Sequence, residues 1–479
     1  MGFGLGYVNI FFILPKYLTQ EQIGVYKILI DVSYLIFPFL QLGGASILNK
    51  FFFEEEVSNR NRLLSFVFSV FLLFFIVFAP VFILFKESIL SWLGFEGASY
   101  EGIEWLILAM VLGLGVVSLL GAHLRNYHLL TYFNLFSAFW LRIAVMITFV
   151  LFGFGLFEFW LALKFFVTIV LVGVVILWLH SFIKTKATML PSLYKGTLST
   201  NSILSYGSIM LIGVGSAVFI QRVDTVMTSG IIGLKYAGIY GIAMAFSSII
   251  EVPRRSVTQV LVPIVSKAFK EEKLKKVSDV YTESSVSLFF LSLLLFVGLI
   301  VNLDQLLSFL PNAEDYLIGK WVVVILAGAK VFDALWGINT EILVLSKYFR
   351  YNIGLLFALL FLTVGFNLIF INETLLITGT AIATGLTILI YNTLRGVVLY
   401  WKFGMLPFNK SHLIVALAGV LGMIPLFVPV LGKLSPILYI ALTSSWICLM
   451  FAIVFFYFDI SDTITSFRIT IVTKLKAFF

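Results

Sequence analysis

Long apolar runs separated by short polar breaks recur along this whole sequence. Hydrophobic residues fill 61% of its 479 positions and charged residues only 12%, which excludes a soluble globular domain. A bilayer core about 30 Å thick needs roughly 20 apolar residues per helix, and a helix satisfies its backbone hydrogen bonds internally. We therefore predict an all-α polytopic membrane protein with about fourteen transmembrane helices.

The predicted first span is shorter than the others. At about 1.5 Å per residue it cannot cross a bilayer, and it lacks the basic flank of a signal peptide. We expect that the chain starts inside this helix, which is truncated; a re-entrant half-helix is the alternative. The predicted spans are residues 2–15, 24–49, 63–85, 103–123, 132–154, 158–180, 202–230, 237–264, 283–303, 318–343, 352–371, 375–400, 411–432 and 435–457.

Lysine and arginine are distributed unevenly between alternate loops. One set of loops carries about twenty of the 32 basic residues, Arg395 among them, and the other set about five. By the positive-inside rule the first set is cytoplasmic, as are both termini of a complete chain. The basic run Lys267–Lys276 is interpreted as an orientation signal, with binding of anionic lipid as the alternative. No loop exceeds about twenty residues, so function must reside within the helices.

Two segments of the chain resemble each other at an offset of about 214 residues. Each contains glycine, an aliphatic residue and tyrosine, at Gly24–Tyr26 and Gly238–Tyr240, and each has a proline about fourteen residues later, Pro38 and Pro253. Six spans separate the copies, so they have the same orientation, as in a parallel repeat whose axis runs along the membrane normal. Each proline is expected to kink its helix.

The repeat predicts two pseudo-symmetric six-helix bundles followed by two further helices. Residues 1–201 would form the N-lobe with helices 1–6, and residues 202–402 the C-lobe with helices 7–12. Residues 403–479 would supply helices 13 and 14 and a cytoplasmic tail.

Charged side chains inside the spans are the candidate functional residues. Each costs about 2.5 to 3.5 kcal/mol at a helix centre, so it persists only with a partner or in a polar cavity. The excess of cations over anions predicts a net cationic cavity. The basic residues are Lys27, Arg142, Lys164, Arg222, Arg254, Arg255 and Lys330, and the acidic ones are Asp31, Asp224, Glu251, Asp333 and Glu341.

Helix spacing decides which of these charges can neutralise each other locally. Arg222 and Asp224 are two residues apart, which turns them roughly 200° around the helix, so they do not face each other. Arg142 has no acid within four residues. These residues require partners on other helices, Asp31 among them, or an anionic ligand. Local pairing is open to Lys27 with Asp31, Lys330 with Asp333, and Glu251 with Arg254 or Arg255.

The chain resembles the polysaccharide flippases (Wzx-type O-antigen translocases, lipopolysaccharide biosynthesis proteins) of the multidrug/oligosaccharidyl-lipid/polysaccharide (MOP) exporter superfamily. The resemblance implies the MOP flippase fold, with two bundles around a central cavity. It also implies translocation of an undecaprenyl-pyrophosphate-linked oligosaccharide, an O-antigen, capsule or exopolysaccharide unit, from the cytoplasmic to the outer leaflet by alternating access. The segments that carry it are PKYLTQEQIGVY (Pro15–Tyr26), QLGGASILNKFF (Gln41–Phe52), QRVDTVM (Gln221–Met227), AGIYGIA (Ala237–Ala243) and the pattern of valines and prolines in Val252–Phe269.

A pyrophosphate headgroup would suit a cationic cavity, because guanidinium groups can hold phosphate oxygens in pairs. Candidates for coupling to H⁺ or Na⁺ are Asp31, Asp224 and Glu251. We expect no metal, no other cofactor and no nucleic acid, since the sequence has no Walker A motif and its histidines lack metal-ligand spacing. The candidate substrate-binding residues are Lys27, Arg142, Arg222, Arg254, Arg255 and Lys330.

The expected partners are the lipid-linked glycan, membrane lipids, and a polysaccharide polymerase with its chain-length machinery, in a bacterial cytoplasmic (inner) membrane. Two alternatives stay open. One is a multidrug or lipid II exporter of the same superfamily. The other is an integral-membrane glycan polymerase, ligase or acyltransferase, which short outer loops without histidine or paired carboxylates disfavour. We therefore predict a transporter and not an enzyme.

Overall fold

Every regular element in the described part of this protein is helical. The computed structural model describes residues 2–95, 100–194 and 196–461, together with Thr465 and Arg468. Within these residues twelve helices are long and apolar enough to cross a bilayer, and a bent pair makes a thirteenth. The all-α fold is confirmed, and the predicted number of about fourteen includes the short first helix.

We number the helices α1 to α14 in chain order. The first, α1, covers residues 2–17 and contains a wide π turn at Asn9–Ile13. In α10 a short break separates two halves. The others are α2 (Gln20–Leu40), α3 (Val57–Leu84), α4 (Ile103–Asn126), α5 (Thr131–Gly153), α6 (Phe159–Thr185), α7 (Thr200–Ile232), α8 (Leu234–Lys270), α9 (Leu274–Val301), α10 (Ala313–Leu335 and Asn339–Leu345), α11 (Phe349–Phe370), α12 (Leu376–Phe403), α13 (Lys410–Phe427) and α14 (Pro436–Tyr457).

The chain forms two compact units. The first contains the residues up to Ile242 together with Ile371–Ile377. Its helix α2 packs against α4 and α7, and α4 packs against α6. Most of α2 and α4 is buried, whereas only a small share of α3 and α5 is buried. Asp31, near the middle of α2, is therefore surrounded by protein.

The start of α2 is fixed by side-chain hydrogen bonds and by close packing. The Thr19 hydroxyl accepts from the Gln22 backbone N–H at 3.3 Å, and the Gln22 side chain accepts from the Thr19 N–H at 3.0 Å. Gly24 and Gly238, the matched glycines of the repeat, lie in the same contact. A Cβ at Gly24 would meet the carbonyl oxygen of Leu234, and one at Gly238 that of Gln20. Only glycine allows α2 and α8 to approach this closely.

Both prolines of the repeat coincide with breaks in their helices. Helix α2 ends at Leu40, two residues after Pro38, and the chain continues as the short helix Gly44–Phe51. In α8 a 3₁₀ turn at Ile249–Glu251 immediately precedes Pro253. Proline has no N–H to donate and clashes with the preceding turn, which accounts for the 3₁₀ turn before Pro253. The break after α2 lies at Leu42 and Gly43, whose φ angles are +48° and +67°.

The second unit contains residues 243–370 and the chain from Thr378 onward. Its central helix α9 is mostly buried and packs against α8, α10, α13 and α14. The two halves of α10 meet at 50° around Gly337, whose φ is +56°. A buried apolar core, which includes Tyr281, Ile338 and Leu399, packs around this break. The polar residues that follow the break are thus held on a rigid support. The lobe boundaries predicted at 201 and 402 stay a prediction.

Candidate functional site

Asp31 binds two cations in the first unit. This carboxylate is fully buried; its Oδ1 accepts a hydrogen bond from Arg222 Nη1 at 2.5 Å, and its Oδ2 lies 3.3 Å from Lys27 Nζ. Lys27 is one turn before Asp31 on α2, so the local pair expected from their spacing is present. We call these three residues the Asp31 cluster. It has two positive charges and one negative charge, and so an excess of one cation.

Arg222 reaches across to α2 and does not pair with its sequence neighbour Asp224. Its guanidinium carbon lies 4.6 Å from the centre of the Tyr34 ring, a cation–π contact, and 27% of its side chain is exposed. Asp224 is buried, and its main-chain oxygen accepts from the Thr228 hydroxyl. Arg222 and Asp224 were expected to point to different sides of α7 because of their two-residue spacing, and their separate partners are consistent with this expectation.

Arg142 lies on α5 against α1. It follows a π turn at Phe136–Trp140, a geometry that leaves carbonyl groups without their usual partners. Its guanidinium donates to the Ala138 carbonyl, and its own carbonyl accepts from Asn9 Nδ2 at 2.7 Å. A Cβ at Gly6 would lie 2.9 Å from Arg142 Nε. Arg142 is therefore tied to the first helix.

Arg254 is paired across helices in the second unit. It forms an ion pair with Asp333 in the first half of α10, and its Nη2 lies 3.9 Å from Glu341 Oε2 in the second half. The same Nη2 donates to Thr340 Oγ1 at 3.3 Å. One arginine of α8 thus connects both halves of the broken helix.

Glu251 holds the two remaining predicted cations of this unit. Its carboxylate lies 2.7 Å from Arg255 Nη2, one turn later on α8, and 2.6 Å from Lys330 Nζ on α10. Lys330 and Asp333 are spaced to pair along one turn, but this local pair is not formed. Each instead takes a partner on α8, because the two helices pack with their charged faces together.

Arg395 is a buried residue of this unit that the sequence places wrongly. Its loop assignment was wrong, since it lies inside α12 and only 6% of it is exposed. It donates to Thr340 Oγ1 at 2.6 Å and to the Tyr391 hydroxyl, and its guanidinium carbon lies 3.7 Å from the Tyr391 ring centre. No ion pair in the described part of the chain includes it. The spacing of Tyr391 and Arg395, four residues on one helix face, is the sequence pattern that indicates this position.

With the exposed Arg255 counted, the charged cluster of the second unit also carries an excess of one cation. Its positive groups are Arg254, Arg255, Lys330 and Arg395, and its negative groups are Glu251, Asp333 and Glu341. Across the described ranges, no three His, Cys, Asp or Glu side chains are grouped so as to hold a metal ion. Each charged cluster thus holds one more guanidinium or ammonium group than carboxylates.

Comparison with known proteins identifies the fold. No protein-family model matches the sequence, and no curated protein matches it. Among solved structures the chain is similar to the lipid II flippase MurJ in its inward closed conformation, with a TM-score of 0.71 and 15% identity over 95% of this chain and 97% of that one. It is also similar to an inward-facing multidrug resistance MATE family transporter of the MOP superfamily, with a TM-score of 0.64 and 13% identity over 84% of this chain and 95% of that one.

This protein is a multi-pass membrane protein with the MOP flippase fold. Identities of 13% and 15% establish the fold, and the substrate must be argued from the charged residues themselves.

Proposed function

We propose that this protein is a flippase that translocates an undecaprenyl-pyrophosphate-linked oligosaccharide from the cytoplasmic to the outer leaflet by alternating access. The observation that carries the proposal is the excess of one cation over the carboxylates in the charged cluster of each unit, within a flippase fold. Arg222 and Arg254 are the principal candidates for contact with the pyrophosphate, because each is partly exposed and presents a guanidinium group. Lys27, Arg142, Arg255 and Lys330 complete the proposed cationic lining.

The sign of the charge favours an anionic cargo. Burying a cation without a matched anion is costly in a membrane helix, so its retention is expected where a ligand supplies the missing negative charge. A pyrophosphate supplies it, and a cationic drug does not. Since the cell interior is negative, export of each negative charge is favoured by about 2.3 kcal/mol per 100 mV.

The carboxylates proposed for ion coupling are Asp31, Asp224 and Glu251. Asp31 and Glu251 each hold two basic groups, and Asp224 is buried one turn from the Thr228 hydroxyl. Uptake of H⁺ or Na⁺ at one of them would weaken its hold on the neighbouring cations and free them for the substrate. The proposed setting is the bacterial inner membrane with both termini cytoplasmic, alongside a polysaccharide polymerase and its chain-length machinery.

The test is export in cells that depend on this chain. Arg142→Ala and Arg222→Ala, at membrane levels equal to the parent, should abolish surface glycan and cause the lipid-linked intermediate to accumulate inside. Lys164→Ala is the matched control, because Lys164 is an exposed basic residue of α6 that belongs neither to the Asp31 cluster nor to the charged residues of the second unit. Normal surface glycan in both arginine variants contradicts the proposal.

A second candidate function is export of lipid II or of drugs. It is favoured by the fold likeness to the lipid II flippase MurJ and to the multidrug resistance MATE transporter. Restoration of growth in cells depleted of their lipid II flippase would support lipid II export. Drug resistance on expression of this protein would support drug export. Loss of surface glycan in the arginine variants, with neither restored growth nor drug resistance on expression of the parent, favours the glycan flippase.

A further inference from the structure

Two arginines share one hydroxyl oxygen in the second unit. Arg254 Nη2 donates to Thr340 Oγ1 at 3.3 Å, and Arg395 Nη1 donates to the same atom at 2.6 Å. A threonine hydroxyl has two acceptor lone pairs, so its proton must point elsewhere. It points to Asn339 Oδ1, 3.2 Å away. Thr340 thus fixes the relative positions of the two guanidinium groups.

The orientation of Thr340 is itself fixed by a chain of amides. Asn339 Nδ2 donates to Asn392 Oδ1 at 2.9 Å, and Asn392 Nδ2 donates to the Ile388 carbonyl at 3.1 Å on α12. Both asparagines are buried. Each side chain in this series of hydrogen bonds has a defined donor or acceptor role. Through Asn392 and Asn339, α12 therefore fixes the position of Thr340 on the broken helix α10.

The charges around Arg254 balance only when Arg395 is counted. Arg254 faces two carboxylates, Asp333 and Glu341, and it alone would leave the group net negative. The buried Glu341 Oε2 accepts no hydrogen bond in the described structure. Arg395 is near enough to both Arg254 and Glu341 to interact with each electrostatically, without a direct ion pair. It is therefore the positive charge that compensates this carboxylate.

We propose that Arg395 is a positioning residue for the anionic headgroup, acting through Arg254. It orients Arg254 through the shared Thr340 hydroxyl, and its charge offsets Glu341, so that Arg254 is available to a phosphate oxygen. The inference rests on the proposed function, in which Arg254 contacts the pyrophosphate. Arg395 is buried beneath Thr340 and does not itself touch the substrate.

Loss of the Arg395 charge should turn the Arg254 surroundings anionic. One cation would then face two carboxylates, and a phosphate would be repelled. A unit charge about 10 Å away at an effective dielectric constant of about 20 changes an anion affinity by roughly tenfold. Removal of the Glu341 charge in the same protein should restore the balance. This compensation separates an electrostatic role from a merely structural one.

The experiment measures binding of undecaprenyl pyrophosphate to the full chain in lipid nanodiscs. Arg395→Met should weaken binding about tenfold, and Arg395→Met with Glu341→Gln should recover most of it. Arg395→Lys keeps the charge and should lose less than Arg395→Met. Thr340→Val should weaken binding without a change in charge, whereas Thr393→Val, a matched change of an exposed hydroxyl on α12, should leave it unchanged.

The outcomes distinguish this inference from the proposed function. Wild-type binding by Arg395→Met, or no recovery in a double variant that melts like the parent, overturns the inference. Should Arg395→Met fail to fold, Thr340→Val decides, and unchanged binding by it overturns the inference. Wild-type binding by Arg254→Met contradicts the proposed function and the inference together. Loss in Arg254→Met with normal binding in Arg395→Met contradicts the inference alone.

Discussion

Asp31 and Arg222 are joined by a hydrogen-bonded ion pair of 2.5 Å, although 191 residues separate them in the sequence. The pair connects α2 to α7 inside the first unit. Lys27 approaches the other carboxylate oxygen, so a single buried acid holds two cations. Removing this acid would leave both cations without their partner in an apolar setting.

Asp31→Asn should destabilise the protein strongly. Breaking a buried ion pair by removing one partner costs about 3 to 5 kcal/mol, because an uncompensated charge stays buried. Thermal melting of the purified protein in detergent measures the effect. Asp279→Asn, at an exposed aspartate near the start of α9, is the control and should melt like the parent. Equal melting of the two variants would refute the account of Asp31.

Gly238→Ala should disturb the packing of α8 on α2. The new Cβ would collide with the Gln20 carbonyl oxygen, a backbone atom that cannot rotate away. Overpacking of this kind costs about 1 to 3 kcal/mol. Gly213→Ala on α7 is the matched control, since no heavy atom lies within 4 Å of a Cβ placed there. Melting temperatures of the two variants are compared, and a Gly238→Ala protein as stable as Gly213→Ala would contradict the close contact.

Glu55 should make stability depend on pH in the acid range. This buried carboxylate accepts hydrogen bonds from the Tyr194 hydroxyl, from the Thr197 hydroxyl at 2.8 Å and from the Thr197 N–H at 3.2 Å. Burial alone would raise the pKa of Glu55, but these hydrogen bonds lower it from 4.5 to about 2. A depressed pKa stabilises the fold fully above pH 4.5, and this contribution is lost as the pH falls towards 2.

The measurement is melting temperature between pH 7 and pH 3 for the parent and Glu55→Gln. The parent should lose stability below about pH 4.5. Glu55→Gln should be less stable at pH 7 and should lose less on acidification. Parallel pH profiles for the two proteins would show that the hydrogen bonds of Glu55 to Tyr194 and Thr197 do not contribute to stability.

Cysteine labelling tests the orientation derived from the positive-inside rule. The native Cys448 is exposed, so the experiment starts from Cys448→Ser. In cells whose outer envelope layers are removed and whose cytoplasmic membrane is intact, a membrane-impermeant thiol reagent should label Asp304→Cys. It should not label Lys273→Cys. Both positions have exposed side chains, at 59% and 61%, and differ in the predicted side of the membrane. The reverse pattern would invert the topology.

Hydropathy predicted the helical fold, because each span must satisfy its backbone hydrogen bonds internally. Charge indicated the candidate residues, because a charged side chain within a span requires a partner or a polar cavity. The local pairs Lys27 with Asp31 and Glu251 with Arg255 follow from helix periodicity, and both are present. Partners on other helices do not follow from periodicity. The pair of Lys330 with Glu251 depends on how α8 and α10 pack, which no spacing within one helix reveals.

Arg395 is a second residue whose position depends on contacts between helices and could not be predicted from the sequence. It lies near the end of an apolar run, where a loop and a buried helix end have similar sequences. Only the packing of α10 against α12 places it beneath Thr340. The assignment of the substrate-binding residues stays a prediction.

Translocation by the purified protein in proteoliposomes tests the central claim most directly. A fluorescent undecaprenyl-pyrophosphate oligosaccharide is placed in both leaflets, and the fraction protected from an external quencher is followed after a membrane potential is applied. Wild type and Lys164→Met should move the lipid, while Arg222→Met and Arg254→Met should be at least about tenfold slower. Movement no faster than in empty liposomes, or equal rates in all four proteins, would contradict a flippase whose buried cations hold the headgroup.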